Sequence, residues 1–242
     1  MDILDTLKSL NGYWHYEGGK YLAKTDDGKV SDTCLNLGVL TCRPEVLYRA
    51  VLGLVTKLTV HLPLAPAAYF QDKNLYVCGF NDSRELAYEV ARQLGGTAIW
   101  FNDDGKPSCS IPDGSTLLFV TDVISSGGTV QKMINFVEDV YERSGKYLPY
   151  VLCLVNTSAQ ESVEVAREWR GGTASDGCKT YFYLEKEFRI VSLTDVPVRV
   201  WDTLLAAEAD LFTDDQRASM GFNVMGGLQA LSGEELCRAP QK

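Results

Sequence analysis

The residues of this chain best suited to chemistry stand together where Thr121-Asp122-Val123-Ile124 runs into Ser125-Ser126-Gly127-Gly128-Thr129. The two glycines let the backbone turn tightly and aim successive N–H groups into one concavity. Ser125, Ser126 and Thr129 add hydroxyl donors. Apolar residues at Val130, Met133, Ile134, Val137, Val140 and Tyr141 then recur at helical spacing, so the positive end of a helix meets the loop donors. That combination suits a phosphate. Asp122 closes the apolar strand before the loop, where a carboxylate can accept hydrogen bonds from sugar hydroxyls or hold a metal ion through water. The plain alternative is an ordinary strand-to-helix turn with Asp122 facing water. No Gly-Lys-Ser/Thr follows, so the segment is not a Walker loop.

Other chemistry-bearing residues are scattered. Asn81-Asp82-Ser83-Arg84 follows a second apolar run, and Asp82 with Glu85 reads equally as a capping box opening a helix. Lys24 can offset phosphate charge or hydrogen-bond a base carbonyl, and reads equally as a solvated lysine before a turn. Asp26-Asp27-Gly28-Lys29 and Asp103-Asp104-Gly105-Lys106 read as two exposed turns, because an EF-hand needs further alternating ligands and a final glutamate. His15 and His61 lack acidic or cysteine partners at ligand spacing and read as satisfied or surface residues. The seven cysteines show no Cys-x-x-Cys spacing, so neither a disulfide framework nor a zinc site is expected.

The elements that position these residues alternate along the chain. Strands are expected at Leu75–Gly79, Thr97–Phe101, Leu117–Thr121, Tyr150–Val155 and Tyr181–Leu184. Helices are expected at Pro44–Leu58, with proline in its first turn, at Arg84–Leu94, ended by Gly95-Gly96, after the loop at 125–129, and at Ala159–Trp169, closed by Gly171-Gly172. This predicts an α/β fold: a parallel twisted sheet of about five strands flanked by helices. Ligands of such sheets bind outside the carboxyl ends of the strands, which makes the loops after Gly79 and Thr121 one candidate site.

At 242 residues and 45% hydrophobic composition the chain can bury a full core. Its net charge of −9 and the lack of any basic run argue against nucleic acid as a partner. No apolar stretch is long and uncharged enough for a membrane span, and the start Met1-Asp2-Ile3-Leu4-Asp5 lacks the basic onset of a signal peptide. A cytoplasmic protein without membrane contact is expected.

The segment from Thr121 to Thr129 resembles the signature of the type I phosphoribosyltransferases, a hydrophobic strand, two acidic residues and a Val-Ile-Thr-Thr-Gly-Gly-Thr-like loop. The resemblance implies that the loop holds the 5′-phosphate of phosphoribosyl pyrophosphate (PRPP). It implies Mg²⁺ as cofactor, held indirectly at Asp122 through water or PRPP. Thr121 replaces the first acidic residue of the pair. The orotate enzymes are most similar: Leu86-Ala87-Tyr88-Glu89-Val90-Ala91 matches their helix, and Lys24 falls on the lysine that reaches their active site. Their small-residue pyrophosphate loop is here Asn81, Asp82, Ser83 and Arg84, their basic mobile loop is a short segment holding only Lys106, and their Asp-Arg pair is Asn156-Thr157. The resemblance runs from Leu22 to Leu193. It implies a phosphoribosyltransferase domain over residues 1–200, with small N-terminal hood elements to about residue 43, and leaves 201–242 as a helical C-terminal extension. Capping boxes at Thr213-Asp214-Asp215-Gln216 and Ser232-Gly233-Glu234-Glu235 suggest two short helices there.

Two functions follow from the resemblance. One is transfer of 5-phosphoribosyl from PRPP to a base, orotate or a related pyrimidine, with release of pyrophosphate, in a homodimer. Asp122 and Lys24 would be catalytic, while Thr121, Ser125, Ser126, Gly127, Gly128 and Thr129, with Asn81, Asp82, Ser83 and Arg84, would bind substrate. The other is a non-catalytic sensor of PRPP or a nucleotide.

Overall fold

The structure, a computed structural model, describes residues 2–18, 21–24, 28–63, 69–70, 73–141, 146–173, 179–213, 216 and 228–238. It divides into two compact units, residues 43–196 and residues 2–42 with 197–242. The first stretch supplies α1 (Ile3–Ser9), β1 (Tyr13–His15), β2 (Tyr21–Lys24), β3 (Val30–Ser31), β4 (Thr33–Leu35) and α2 (Gly38–Thr41). The larger unit holds α3 (Pro44–Thr59), β5 (Leu75–Phe80), a one-turn 3-10 helix (Asn81–Ser83), α4 (Arg84–Leu94), β6 (Thr97–Phe101), β7 (Thr116–Ile124), α5 (Gly128–Tyr141), β8 (Lys146–Asn156), β9 (Ser162–Thr173) and β10 (Lys179–Asp195). The tail adds β11 (Val200–Trp201), α6 (Leu204–Leu211), β12 (Gln229–Leu231) and α7 (Gly233–Arg238).

The larger unit is a six-stranded sheet in the order β6-β5-β7-β8-β10-β9. Its first five strands are parallel, as the α/β reading requires, and β9 lies antiparallel on the edge beside β10. Strands such as β5 and β7 are nearly continuous runs of buried residues because helices cover both faces. Alternation sorts them. Tyr76, Cys78, Leu117, Phe119, Val151 and Cys153 join the cluster containing Val130, Met133, Ile134 and Val137 of α5. The intervening positions meet the other two helices, since a Cβ on Gly79 would lie 3.1 Å from Ala87 of α4, and one on Gly53 of α3 would lie 3.0 Å from Leu193 of β10. In α4, Leu86, Ala87, Val90, Ala91 and Leu94 are buried at helical spacing, and Gly95 ends the helix at φ 73°.

One expected helix is a strand. Residues 162–165 read Ser-Val-Glu-Val, with Val163 and Val165 buried and Glu164 exposed, a period of two. Backbone pairing from Arg189↔Ser162 to Tyr181↔Arg170 makes β9 and β10 a long antiparallel hairpin. The capping box expected at Asp82 and Glu85 does not form: no side chain caps α4, and Glu85 instead accepts from Arg84.

In the second unit β1 pairs with β4, and a four-stranded sheet runs β11-β3-β2-β12. The tail therefore supplies two strands as well as helices, and the unit boundary joins it to the N-terminal elements rather than cutting at residue 200. Leu22, Val30, Ala207 and Leu228 form its core. Buried Asp32 accepts from the backbone N–H (3.1 Å) and Nε (3.0 Å) of Arg199, which fixes the start of the tail. Both tail capping boxes form, at Thr213 with Gln216 and at Ser232 with Glu235.

Candidate functional site

β7 carries the site at its carboxyl end because its pleat sends successive side chains to opposite faces. Thr121 is buried at 4% exposure, and its hydroxyl donates to the Val123 carbonyl at 3.3 Å. Asp122 turns the other way, toward the start of α4, and its N–H donates to Ser83 Oγ at 3.3 Å. Asp122 Oδ1 is buried without a hydrogen-bond partner. Burial pushes this carboxyl up to about 7, the charge of Asp82 adds to the rise, the Ser83 hydroxyl opposes it, and Glu85 contributes a smaller rise. A buried carboxylate oxygen with no protein donor costs stability and is able to accept a hydrogen bond from a ligand.

Ser125, Ser126 and Gly127 link β7 to α5. Gly127 takes φ 76°, and a Cβ there would lie 2.5 Å from Val163 Cγ1, so only glycine fits. Its carbonyl accepts from Gln131 N–H, which opens α5. Gly128 is exposed, and a Cβ there would meet only Ser126 Oγ at 3.6 Å, so the concavity above it is open. Among the described residues, the N–H groups of Ser125 through Thr129 donate to no backbone acceptor outside the helix and the hydroxyls of Ser125, Ser126 and Thr129 bond to no protein group. The result is a cluster of free donors at a helix N-terminus with an orphaned acceptor, Asp122 Oδ1, two strand residues before the turn.

The structure brings together Asp122, the 125–129 loop and the turn Asn81–Arg84. Asn81 and Asp82 are exposed and Ser83 is buried, while Arg84 is folded back on Glu85, with Nη2 to Oε1 at 2.7 Å and Nε to Oε1 at 3.1 Å. Lys24 is exposed at the end of β2 in the other unit, within electrostatic reach of Glu235. Asn156 is buried and holds its own turn, donating to Gln160 O (2.8 Å) and accepting from Ser158 N–H (3.1 Å) and Oγ (2.7 Å). Thr157 donates N–H (2.7 Å) and Oγ1 (3.1 Å) to Ile124 O, tying this turn to the end of β7. Among the described residues no group of three or more His, Cys, Asp or Glu side chains is placed to hold a metal. The described cysteines 34, 42, 78, 109 and 153 form no disulfide. No described helix is long and apolar enough to cross a membrane.

Sequence reasoning missed the Ser83–Asp122 contact and the packing of Val163 under Gly127, both products of tertiary packing. It also missed a cavity of about 360 Å³ beside the last residues of β10, lined by His61, Gln160, Glu161, Arg189 and Asp195 among others. Only the alternation Val163-Glu164-Val165 signalled where one of these partners would come from.

No protein-family model matches the chain. The curated orotate phosphoribosyltransferase of Thermoanaerobacter sp. (strain X514) is 38% identical over 60 residues, 23% of this chain and 32% of that protein. The orotate phosphoribosyltransferase of Mycobacterium tuberculosis H37Rv, solved with Fe(III) dicitrate, superposes with a TM-score of 0.50 at 15% identity, over 80% of this chain and 94% of that one. The fold is that of the type I phosphoribosyltransferases. The Leishmania donovani UMP synthase superposes with a TM-score of 0.50 at 12% identity over 93% of this chain. The chain spans 42% of that protein's length and about a third of the curated relative's.

Proposed function

We propose that this protein transfers the 5-phosphoribosyl group of PRPP to a nitrogen of a base, orotate or a related pyrimidine, and releases pyrophosphate. The observation that carries the reading is the ring of unpartnered donors at Ser125, Ser126, Gly127, Gly128 and Thr129 beside the orphaned Asp122 Oδ1. The loop holds the 5′-phosphate, Asp122 accepts from the ribose hydroxyls, and Asn81 to Arg84 face the leaving group. Thr121, buried with its hydroxyl donated to the Val123 carbonyl, supports the strand that presents Asp122. Catalysis here consists of positioning and charge stabilisation.

Mg²⁺ carried in with PRPP would supply charge neutralisation for the departing pyrophosphate. The unpartnered Asp122 Oδ1 suits an indirect contact through water. A homodimer and a cytoplasmic location belong to the same reading. The folding of Arg84 onto Glu85 favours the second reading, a non-catalytic sensor of PRPP or a nucleotide, because it withdraws the one cation of the leaving-group turn.

Calorimetric titration with PRPP and Mg²⁺, followed by a panel of bases with pyrophosphate detection, tests this. Binding with release for one base establishes the transferase, and binding without release establishes the sensor. The double variant Asp122→Asn, Gly128→Val abolishes binding on this account, and retained binding removes the site.

A further inference from the structure

β9 leaves the last residues of β10 uncovered. The two strands pair from Lys179↔Thr173 to Arg189↔Ser162, and β10 then runs on to Asp195 with β8 as its strand neighbour. The chain returns from the end of β8 to the start of β9 through residues 157–161, and Ile190 N–H donates to Glu161 O at 2.8 Å where β9 and β10 part. Groups on alternate residues of a strand face the same side, so Ser192 turns its N–H and carbonyl toward the gap. The cavity of about 360 Å³ lies here, lined by the 157–161 turn and the end of β10, two strands away from β7.

Its walls are held by the protein's own bonds. Asn156, 5% exposed, donates to Gln160 O at 2.8 Å and accepts from Ser158, and Gln160 N–H donates to Ser158 Oγ at 3.1 Å. These bonds hold Ala159 at φ 57°, a left-handed conformation that a residue with a side chain adopts at a cost. Tyr150, the register partner of Arg189, donates its hydroxyl to His61 O at 2.8 Å and stacks on the His61 ring at 5.9 Å, which places His61 at the Arg189 end. Among the described residues the Arg189 side chain makes no hydrogen bond or ion pair. Glu161, opposite Ile190, lies by the pleat on the other face from Arg189. Asp195 accepts from Ser192 Oγ at 2.7 Å through Oδ1 and has Oδ2 to spare.

A cation and an anion therefore stand at opposite ends of an open strand edge. Arg189 and Asp195 share one face of β10 with about 20 Å between their Cα atoms at the rise of a strand. Their side chains take up part of that span, and the remainder matches an extended tripeptide, about 10 Å long. We infer that this cavity binds a short extended peptide with free ends, about three residues long, its carboxylate on the Arg189 fork beside His61, its ammonium on Asp195 and its backbone on the open edge at Ser192. The charges set its direction antiparallel to β10, the direction of β9. The site stands whether or not the 125–129 loop holds a phosphate.

Calorimetric titration of the full chain with trialanine, at about pH 6.5 where the α-amino group is protonated, tests this. N-acetyl-trialanine and trialaninamide each lack one of the two charges. Trialanine binds saturably, and each blocked peptide binds about tenfold more weakly. Arg189→Gln weakens trialanine by about tenfold and no longer separates it from the amide, whereas Asp195→Asn no longer separates it from the acetylated form. Both residues are exposed, and circular dichroism and melting curves confirm that the variants fold. Absence of saturable trialanine binding to the wild type overturns the peptide site, as does equal binding of the three peptides. Discrimination that persists unchanged in both variants puts the peptide elsewhere and overturns it too.

Discussion

Asp122 holds its carboxyl at the end of a parallel strand with one oxygen buried and unpartnered. The group is pushed up to about 7 by burial and by the neighbouring acids. Between about pH 4 and 7 the folded protein keeps this proton while the unfolded chain has lost it. The folded state then binds more protons, so stability falls as pH rises through that window and levels off above it. Asp122→Asn should remove this slope and raise stability at pH 8 by on the order of 2 kcal/mol, read from urea midpoints across pH. An unchanged slope contradicts the burial argument. Under the proposed function ligand affinity runs the opposite way, since the ionised carboxyl is the stronger acceptor for ribose hydroxyls, and should strengthen as pH rises through about 7. At Gly127 both φ 76° and the 2.5 Å approach to Val163 exclude a side chain. Gly127→Ala should cost roughly 2 kcal/mol or more, and a melting temperature equal to wild type would refute the packing. Thr121 and Asp122, adjacent in sequence, do different work because the pleat separates them. The sequence shows the pair but not the direction of the pleat.

At the scale of elements, strong periodicity made most of the sheet readable. β5, β6, α3 and α4 begin and end within a residue or two of the positions expected from apolar runs, Pro44 and Gly95. Tertiary pairing lengthened β7, β8 and β10 beyond their apolar cores, since polar flanks such as Thr116 and Lys146 join the ladder once a neighbour is present. β9 was read as a helix because its composition and closing glycines suit either state, and only the two-residue alternation at 162–165, over a buried edge position, decides for a strand. The Asp82–Glu85 box failed for a related reason: Arg84, one residue away, offers Glu85 a charged fork stronger than a backbone N–H. The boxes without such a competitor formed. Ser232→Ala should therefore lower the stability of α7 by about 1 kcal/mol, visible as faster amide exchange in Gly233–Arg238. Unaltered exchange would show that the cap contributes nothing.

On the scale of the whole molecule, the two units are built on different rules. Residues 43–196 are a parallel sheet covered on both faces, and the second unit is a small sheet assembled from both ends of the chain. Sequence reading assigned the tail to a separate helical extension because its capping boxes are local signals. Its strands β11 and β12 have two and three residues, and pair only with the distant β3 and β2. The latch at Asp32, 3% exposed, holds Arg199 through two donors. Asp32→Ala leaves the Arg199 N–H unpaired, should destabilise the second unit by about 2 kcal/mol, and should speed proteolysis of the tail before that of the sheet unit. Equal cleavage rates in wild type and variant would contradict the latch. The account as a whole depends on the free donors of one loop. Backbone amide shifts in a two-dimensional NMR titration with ribose 5-phosphate test it most directly. The largest changes are predicted at Ser125, Ser126, Gly127, Gly128 and Thr129, and saturating shifts centred anywhere else, or none at all, would contradict it.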